Sequence, residues 1–153
     1  MVYPRYKPRA QTFTSLPAKY DPSPENPKPP VLNYGIPVTS DDLFKYATWA
    51  GKVTYFKLSP DQVSPRFLWS SVEVLSDSVI YPLILAEPYF TTPKCHFIVS
   101  LYSNYNYKEK QLVDEDEENV IDAIKGELEL DSEVKPMWYF DVKDPWRPGD
   151  PVD

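Results

Sequence analysis

Four short stretches of the chain are rich in β-branched and aromatic residues or alternate between apolar and polar positions, which predicts β-strands. These stretches are residues 53–58 (VTYFKL), 80–86 (IYPLILA), 95–102 (CHFIVSLY) and 137–142 (MWYFDV). The third has the strongest strand composition, so we expect it at the centre of a sheet with a neighbour on each side. Pro82 lies in the second stretch and has no backbone N–H to donate, so we expect that strand at a sheet edge.

Apolar residues recur three and four positions apart in three further stretches, which predicts amphipathic helices. The stretches are residues 40–50, 65–75 and 114–126. Ser40 is suited to cap the first helix. Asp114 and Glu117 have the spacing of a capping box at the start of the third helix, and Gly126 is suited to end it.

The elements between residues 53 and 142 follow the order strand, helix, strand, strand, helix, strand. A split βαβ, or ferredoxin-like, fold has this order, with its first and third strands central and the other two at the edges. We therefore predict an α+β fold of this type, with an antiparallel sheet and helices on one of its faces. The helix at 40–50 and a proline-rich extended N-terminal arm precede it.

Proline sets the predicted boundaries of the chain. Nine of the 18 prolines fall in the first 37 residues, and the whole chain has only four glycines. Because proline fixes φ and disfavours the α region for the residue before it, residues 20–30 are predicted to form extended polyproline II. We predict an extended arm at 1–37, one α+β domain at 38–143 and a proline-containing tail at 144–153.

Charge is unevenly distributed: the first 37 residues carry +3 and the remainder −10, for a net charge of −7. The basic arm is either simply solvated or attracted to an acidic surface of its own body or of a partner. Aromatic residues on the predicted strands resemble those of the RNA-recognition motif, but the glycine-containing octapeptide of that family is absent. Because an acidic body repels phosphate, we expect no nucleic-acid partner.

The expected location is intracellular and cytoplasmic. The lone Cys95 cannot form an intramolecular disulfide, and the start of the chain lacks the apolar segment of a secretory signal. The basic, acid-poor residues 1–20 also suit a mitochondrial presequence, but prolines interrupt the helix that such a segment needs. The longest apolar stretch, residues 79–86, is too short to span a bilayer, so no membrane span is expected.

No cofactor or metal is predicted. Glycine-rich phosphate loops are missing, and a chain with one cysteine and one histidine cannot supply a structural zinc site. The acidic run 114–118 is interpreted as the solvated first turn of a helix. Cys95 and His96 are adjacent in a predicted strand and point to opposite faces, so they cannot act as nucleophile and base, and Cys95 is expected to be a buried, inert thiol.

Alternation along the predicted strands separates a helix-covered side from an open face that is rich in tyrosine. The predicted core residues are Phe56, Leu58, Phe97, Val99, Leu101, Trp138, Phe140 and Val142. The predicted open face carries Tyr55, Lys57, His96, Ile98, Tyr102, Met137, Tyr139 and Asp141. Such a face needs cover, so we predict a noncatalytic interaction or assembly protein that contacts a protein partner or second subunit through its arm and this face. The predicted contact residues are Tyr3, Tyr6, Phe13, Tyr20, Tyr55 and Tyr139.

The alternative is a small enzyme or small-ligand-binding protein, with a pocket over the open face that uses His96, Tyr55, Tyr102 and Asp141. His96 is the candidate general base, because the ordinary pKa of histidine lies near neutrality. A pocket around His96 would favour this alternative, and a flat or covered face would favour assembly. Catalysis is the less expected of the two functions.

Overall fold

A five-stranded antiparallel sheet with helices forms the framework of the computed structural model, which describes residues 12–49, 65–89, 91–110 and 112–142. The strands are β1 (Thr12–Phe13), β2 (Leu32–Val38), β3 (Ile84–Ala86), β4 (Phe97–Ser103) and β5 (Met137–Phe140). The helices are α1 (Ser40–Trp49), α2 (Pro65–Val79), α3 (Tyr107–Lys110) and α4 (Asp114–Glu127), with a 3-10 turn at Ala18–Tyr20. The strand order is β1-β5-β2-β4-β3, so the predicted α+β class is confirmed.

β4 is the central strand that the sequence predicts, since it pairs with β2 on one side and β3 on the other. Among the described residues β3 is the last strand of the sheet, which agrees with the edge position predicted for this stretch, although Pro82 itself precedes the strand. β3 starts only at Ile84, because α2 continues to Val79 and Ile80 then takes a left-handed conformation with φ of 56°. The N–H of Tyr81 donates to the carbonyl oxygen of Ser76 at 3.1 Å, which closes the helix end.

β2 is the main correction to the predicted fold, because it lies between β5 and β4, whereas the sequence predicts that residues 32–37 belong to the arm. The predicted strand 53–58 and the predicted tail 144–153 lie outside the described residues. The sequence pattern does not indicate a strand at β2, because glycine and proline, here Gly35 and Pro37, are both unfavourable in strands. Pro37 is tolerated because β5 pairs with β2 only as far as Gly35, so at Pro37 the paired neighbour is β4. Residues 32–37 therefore belong to the sheet and not to an arm.

The N-terminal residues 12–31 are built onto the sheet through aromatic contacts. β1 pairs with β5, which places Phe13 beside Trp138. The ring of Phe13 packs 5.9 Å from that of Tyr20 and 6.0 Å from that of Phe140, measured between centroids. Tyr20 is only 2% exposed, so it is part of the core.

A buried asparagine after β4 holds the same segment by hydrogen bonds. The Nδ2 group of Asn104 donates to the carbonyl oxygens of Tyr20 at 2.7 Å and Pro30 at 2.9 Å. Its Oδ1 accepts the N–H of Leu32 at 3.0 Å. One side chain thus fixes both ends of the stretch that leads into β2.

The stretch 20–30 is not the continuous polyproline II segment that its prolines predict. Ser23 and Asn26 exchange two backbone hydrogen bonds, each of 3.1 Å, which form a tight turn. The side chain of Asn26 also donates to the carbonyl oxygen of Lys19 at 2.9 Å. Asparagine and serine stabilise turns through such local bonds, and here they outweigh the preference of the flanking prolines for extension.

A β-bulge lies in β4 opposite a glycine of β2. Gly35 is paired with Ser100, but the preceding residue of β2, Tyr34, is paired with Tyr102. Leu101 therefore has no partner in β2, and the alternation of side chains along β4 shifts by one residue. Tyr102 consequently lies on the helix-covered side with Tyr34, and its predicted place on the open face is wrong.

Gly35 is required at the bulge because the backbone of β4 approaches it closely. A Cβ atom on Gly35 would lie 2.1 Å from the carbonyl oxygen of Val99 and 2.7 Å from the Cα atom of Ser100. Both are backbone atoms in the middle of a sheet and cannot move aside without breaking the ladder. Only glycine fits this position.

The main core lies between the helices and one face of the sheet. Its buried members include Leu32, Ile36, Val38, Leu43, Val72, Leu75, Val99, Leu101, Ile124, Trp138 and Phe140. The predicted core positions of Val99, Leu101, Trp138 and Phe140 are confirmed, and Phe97 packs against the cluster while partly exposed. Val142 is 38% exposed and is not a core residue. Phe56 and Leu58 lie outside the described residues.

The N-terminus of α1 is capped by Thr39 and not by Ser40. The Oγ1 of Thr39 accepts the N–H of Asp42 at 3.1 Å, and Oδ2 of Asp42 accepts the N–H of Thr39 at 2.9 Å. This reciprocal pair is a capping box with an aspartate in the position of the usual glutamate. Ser40 is the first helical residue.

Both predicted ends of α4 differ from the structure. The N-cap is Val113 without a side-chain cap, so Asp114 and Glu117 form no capping box. Gly126 lies inside the last turn, and Glu129 takes the left-handed conformation with φ of 53°. The N–H of Leu130 donates to the carbonyl oxygen of Lys125 at 2.9 Å, which completes a Schellman motif around Glu129.

Candidate functional site

An aromatic centre lies between the sheet and the start of α4. It consists of Tyr34, Tyr102, Tyr107, Trp138 and the carboxylate of Glu117. The rings of Tyr34 and Tyr102 stack with centroids 5.2 Å apart and an interplanar angle of 15°. Trp138 lies 5.2 Å from Tyr34 and meets Tyr107 edge-on at 5.7 Å. The bulge in β4 creates this cluster, because it brings Tyr102 to the same side as Tyr34.

Glu117 binds both stacked tyrosines. The hydroxyl of Tyr102 donates to Oε1 of Glu117, and the hydroxyl of Tyr34 donates to Oε2 at 3.5 Å. Burial raises the pKa of Tyr34 to about 12, and the negative charge of Glu117 adds to the shift. Burial, followed by the hydrogen bond to Glu117, also raises the pKa of Tyr102. Both phenols therefore stay protonated near neutrality and serve as donors that tie α4 to the sheet.

His96 connects the chain before β4 to the start of α1. Its Nδ1 accepts the N–H of Ser40 at 3.0 Å and lies 3.3 Å from the hydroxyl oxygen of the same residue. Its backbone N–H donates to the carbonyl oxygen of Val38 at 2.8 Å. His96 also lines a surface cleft of about 360 Å³, whose polar lining includes Ser40, Glu87 and Thr91.

The other proposed catalytic residues have different partners. Oδ2 of Asp141 accepts a hydrogen bond from Nδ2 of Asn33 at 2.6 Å. Tyr102 belongs to the aromatic centre, and Tyr55 lies outside the described residues. Within the described part of the chain, His96, Tyr102 and Asp141 are each held by a separate group, and the structure does not bring them into one hydrogen-bonded set.

Cys95 is buried, as predicted, and 7% exposed. It packs with Ala86 and Ile98 in a small second cluster, against which Tyr139 is partly buried. Burial raises the pKa of the Cys95 thiol to about 11, so very little of it is thiolate near neutrality. Burial likewise raises the pKa of the Tyr139 phenol.

The predicted partner-binding residues are divided among several environments. Phe13 and Tyr20 fasten the chain's own N-terminal segment, and Tyr139 is half-buried beside Cys95. Tyr3, Tyr6 and Tyr55 lie outside the described residues. Of the tyrosines predicted for the open face, only Tyr139 lies there among the described residues, because Tyr102 lies on the helix-covered side.

A groove at the edge of the sheet exposes large apolar side chains. This β3-edge groove has a volume of about 190 Å³ and is lined by Asn33, Trp69, Ile84, Leu85, Ala86, Glu87, Phe97 and Asp141. Trp69 is 43% exposed and Ile84 is 44% exposed. The sequence contains one signal for this groove. Trp69 lies next to Leu68 but outside the apolar stripe of α2, where a large aromatic residue is not needed for the core.

A second, larger groove is acidic. This acidic groove has a volume of about 460 Å³ and lies where the end of β2, the hairpin before β4 and the loop after α4 meet. Its charged lining comprises Asp42, Lys94, Glu129, Asp131 and Glu133, and its apolar lining comprises Pro37, Pro93, Leu130 and Val134. Residues from these distant parts of the sequence meet only in the fold, so no local pattern predicts the groove.

Comparisons with models of protein families, with curated proteins and with solved structures find no match to this chain. No helix within the described ranges is both long and apolar enough to cross a membrane. In the same ranges, no three His, Cys, Asp or Glu side chains are grouped so that they could hold a metal ion.

Proposed function

We propose that this protein is a noncatalytic interaction protein that binds an extended segment of a partner protein at the β3-edge groove. The observation that carries the proposal is the exposure of Trp69 and Ile84, 43% and 44%, along one groove. Exposed apolar side chains grouped in this way gain free energy when a partner covers them. Tryptophan is also enriched among the few residues that dominate the energy of protein interfaces.

The position of the groove supports an extended partner. Among the described residues β3 pairs only with β4, and it is the last strand in the sheet. An edge strand offers backbone N–H and C=O groups to an added strand, whose alternate side chains can enter a neighbouring groove. Glu87 and Asp141 also line this groove, which favours a partner segment with a basic residue.

The finer features of the fold are part of the same proposal. Two observations support a ferredoxin-like arrangement with β1 added at the edge. From β2 to β5 the elements follow the order strand, helices, strand, strand, helices, strand. Within the sheet these strands are ordered β5-β2-β4-β3. We assign the assembly an intracellular location. The separate partners of His96, Tyr102 and Asp141 support binding over catalysis.

Selection of displayed peptides against the immobilised full chain tests the proposal. We expect the enriched peptides to share alternating apolar residues and at least one basic residue. Their affinity should fall at least about tenfold for Trp69→Ser, the effect of losing an interface hot spot.

Ile80→Ser is the matched control, because Ile80 is 90% exposed and does not line the groove. It removes an exposed apolar side chain at a different place, so peptide affinity should not change. Peptides that bind wild type and Trp69→Ser equally well, or a selection that enriches no common pattern, would contradict the proposed site.

A second candidate function is small-ligand binding in the cleft beside His96. The cleft volume of about 360 Å³ falls in the lower part of the range of ligand pockets, roughly 300–1,000 Å³. Its polar lining of Ser40, Glu87, Thr91 and His96 supplies donors and acceptors. A fragment screen by ligand-observed NMR tests it: fragments that bind wild type and are lost in His96→Gln support this function, and fragments that bind both equally oppose it.

A further inference from the structure

We propose that the acidic groove binds the basic N-terminal segment, residues 1–11, of a second copy of this chain. The inference goes beyond the proposed function, because it uses a different surface and names its occupant. The segment itself lies outside the described residues. Three features identify this occupant: the lining of the groove, the charge of the segment and the direction in which β1 enters the sheet.

Charge complementarity identifies the occupant. The groove carries four acidic side chains and one basic side chain, which gives a formal charge of −3. The segment carries Arg5, Lys7 and Arg9 with no acidic residue, which gives +3. Charges arranged in this way attract the correct partner and repel acidic segments.

Two of the four acidic side chains of the groove are held by hydrogen bonds to the backbone. Oδ2 of Asp42 accepts the N–H of Thr39, and Oδ1 of Asp131 accepts the N–H of Glu133, both at 2.9 Å. The Schellman turn around Glu129 fixes the backbone of the same loop. A groove whose groups are ordered in advance loses less conformational entropy on binding.

The apolar lining suits the other side chains of the segment. The segment contains Tyr3, Pro4, Tyr6 and Pro8 beside its basic residues. Prolines and aliphatic side chains of the groove offer such aromatic and apolar residues a surface to pack on, next to the acidic side chains.

The direction of β1 favours a second copy as the source of the segment. Thr12 pairs with Tyr139 and Phe13 with Trp138, so β1 enters the sheet from the Phe140 end of β5. That end of β5 pairs with Leu32, the first residue of β2. The acidic groove is lined by residues after the middle of β2 and by Thr39, at the opposite end of the strand. The segment is thus attached at the far end of the sheet from its proposed site.

Sedimentation equilibrium of the full chain tests the proposal through a charge swap. Wild type should form a dimer. Both Arg5→Glu/Lys7→Glu and Glu129→Lys/Glu133→Lys should raise the dimer dissociation constant at least about tenfold, because attraction becomes repulsion. The chain with all four substitutions should regain the dimer. High salt should weaken the wild-type dimer by screening the same charges.

Glu73→Lys/Asp77→Lys is the matched control, with the same charge change at two exposed positions of α2 outside the groove. Its dimer constant should remain near that of wild type. Circular dichroism of each variant separates loss of folding from loss of binding, and Glu129→Gln/Glu133→Gln provides a milder version of the groove variant.

Three outcomes would overturn the inference. One is a wild-type chain that stays monomeric throughout the concentration range, which would leave the segment to its own chain or to solvent. Another is a dimer dissociation constant that neither of the two charge-reversed variants changes. The third is a four-substitution chain that folds but does not regain the dimer. None of these outcomes involves Trp69, so the proposed β3-edge function is tested separately.

Discussion

The aromatic centre and the β3-edge groove use similar side chains for different ends. In the aromatic centre, Tyr102 and Trp138 are 6% and 5% exposed, and Glu117 accepts hydrogen bonds from two phenols. In the β3-edge groove, Trp69 and Ile84 keep over two-fifths of their surface in water. The aromatic cluster is closed by a polar partner from another element, whereas the groove has a large apolar surface that folding leaves uncovered.

Gly35→Ala should break the aromatic centre with the largest effect. Its new Cβ would lie 2.1 Å from the Val99 carbonyl oxygen, so the bulge that positions Tyr102 cannot persist unchanged. We expect a loss of unfolding free energy of about 3 kcal/mol or more, or failure to fold. Urea unfolding followed by tryptophan fluorescence measures it.

Gly126→Ala is the control for this substitution. A Cβ at Gly126 meets nothing within 4 Å, and the residue is in the last turn of α4. The change should stabilise the chain by up to about 1 kcal/mol, the difference in helix propensity. Equal effects of the two substitutions would mean that the close approach at Gly35 is wrong.

Glu117→Leu should be the next most damaging change. It leaves the hydroxyls of Tyr102 and Tyr34 without their acceptor in a largely buried place, which costs about 2 kcal/mol. Glu117→Gln retains an amide oxygen as acceptor and should cost less. Chemical denaturation of both variants measures the difference, and a loss of similar size for Gln and Leu would deny the hydrogen bonds a stabilising role.

Alkaline pH should weaken the aromatic centre more gently. An unfolded tyrosine loses its proton near pH 10, whereas Tyr34 in the fold keeps its proton until about pH 12. The folded state thus binds more protons in this interval, so the contribution is complete below pH 10 and is lost as pH rises toward 12. Between roughly pH 8 and 11, the free energy of unfolding should fall less steeply with rising pH for Tyr34→Phe than for wild type. A slope unchanged by the substitution would contradict the assignment.

Trp69→Ser should have the smallest effect on stability, although it should have the largest effect on peptide binding. Because much of Trp69 is already in water, we expect a loss of about 1 kcal/mol or less. Thermal unfolding measures this value. A loss as large as that of Gly35→Ala would show that Trp69 supports the core, and the contrast between the two regions would disappear.

The sequence predicts the strongly patterned elements well. CHFIVSLY covers β4 except for its last residue, Ser103, and the apolar spacing from Leu68 to Val79 belongs to α2. The sequence does not predict β2, because Gly35 and Pro37 are residue types that usually interrupt a strand. In the structure Gly35 is needed at the bulge, and Pro37 lies beyond the part of β2 that pairs with β5. The bulge itself has no local signal, yet one unpaired residue, Leu101, moves Tyr102 to the other face.

The sites were harder to predict than the fold for a physical reason. Glu117 has the spacing of a capping residue, but contacts with Tyr34 and Tyr102, distant in sequence, decide its role. The acidic groove likewise depends on Asp42 and Glu133 meeting across the fold. Periodicity reports which side of its own element a residue occupies, and it does not report what lies opposite.

The strand order also determines when this chain can fold during its synthesis. β2 is made early, but its partners β4 and β5 come much later, and the bonded pair Asn33 and Asp141 is 108 residues apart. At about 5 to 20 residues per second, the ribosome needs roughly 5 to 20 s to make that stretch. The edge of β2 that pairs with β5 stays open for that time, so we expect a nascent chain stalled before Met137 to aggregate more readily than the finished protein.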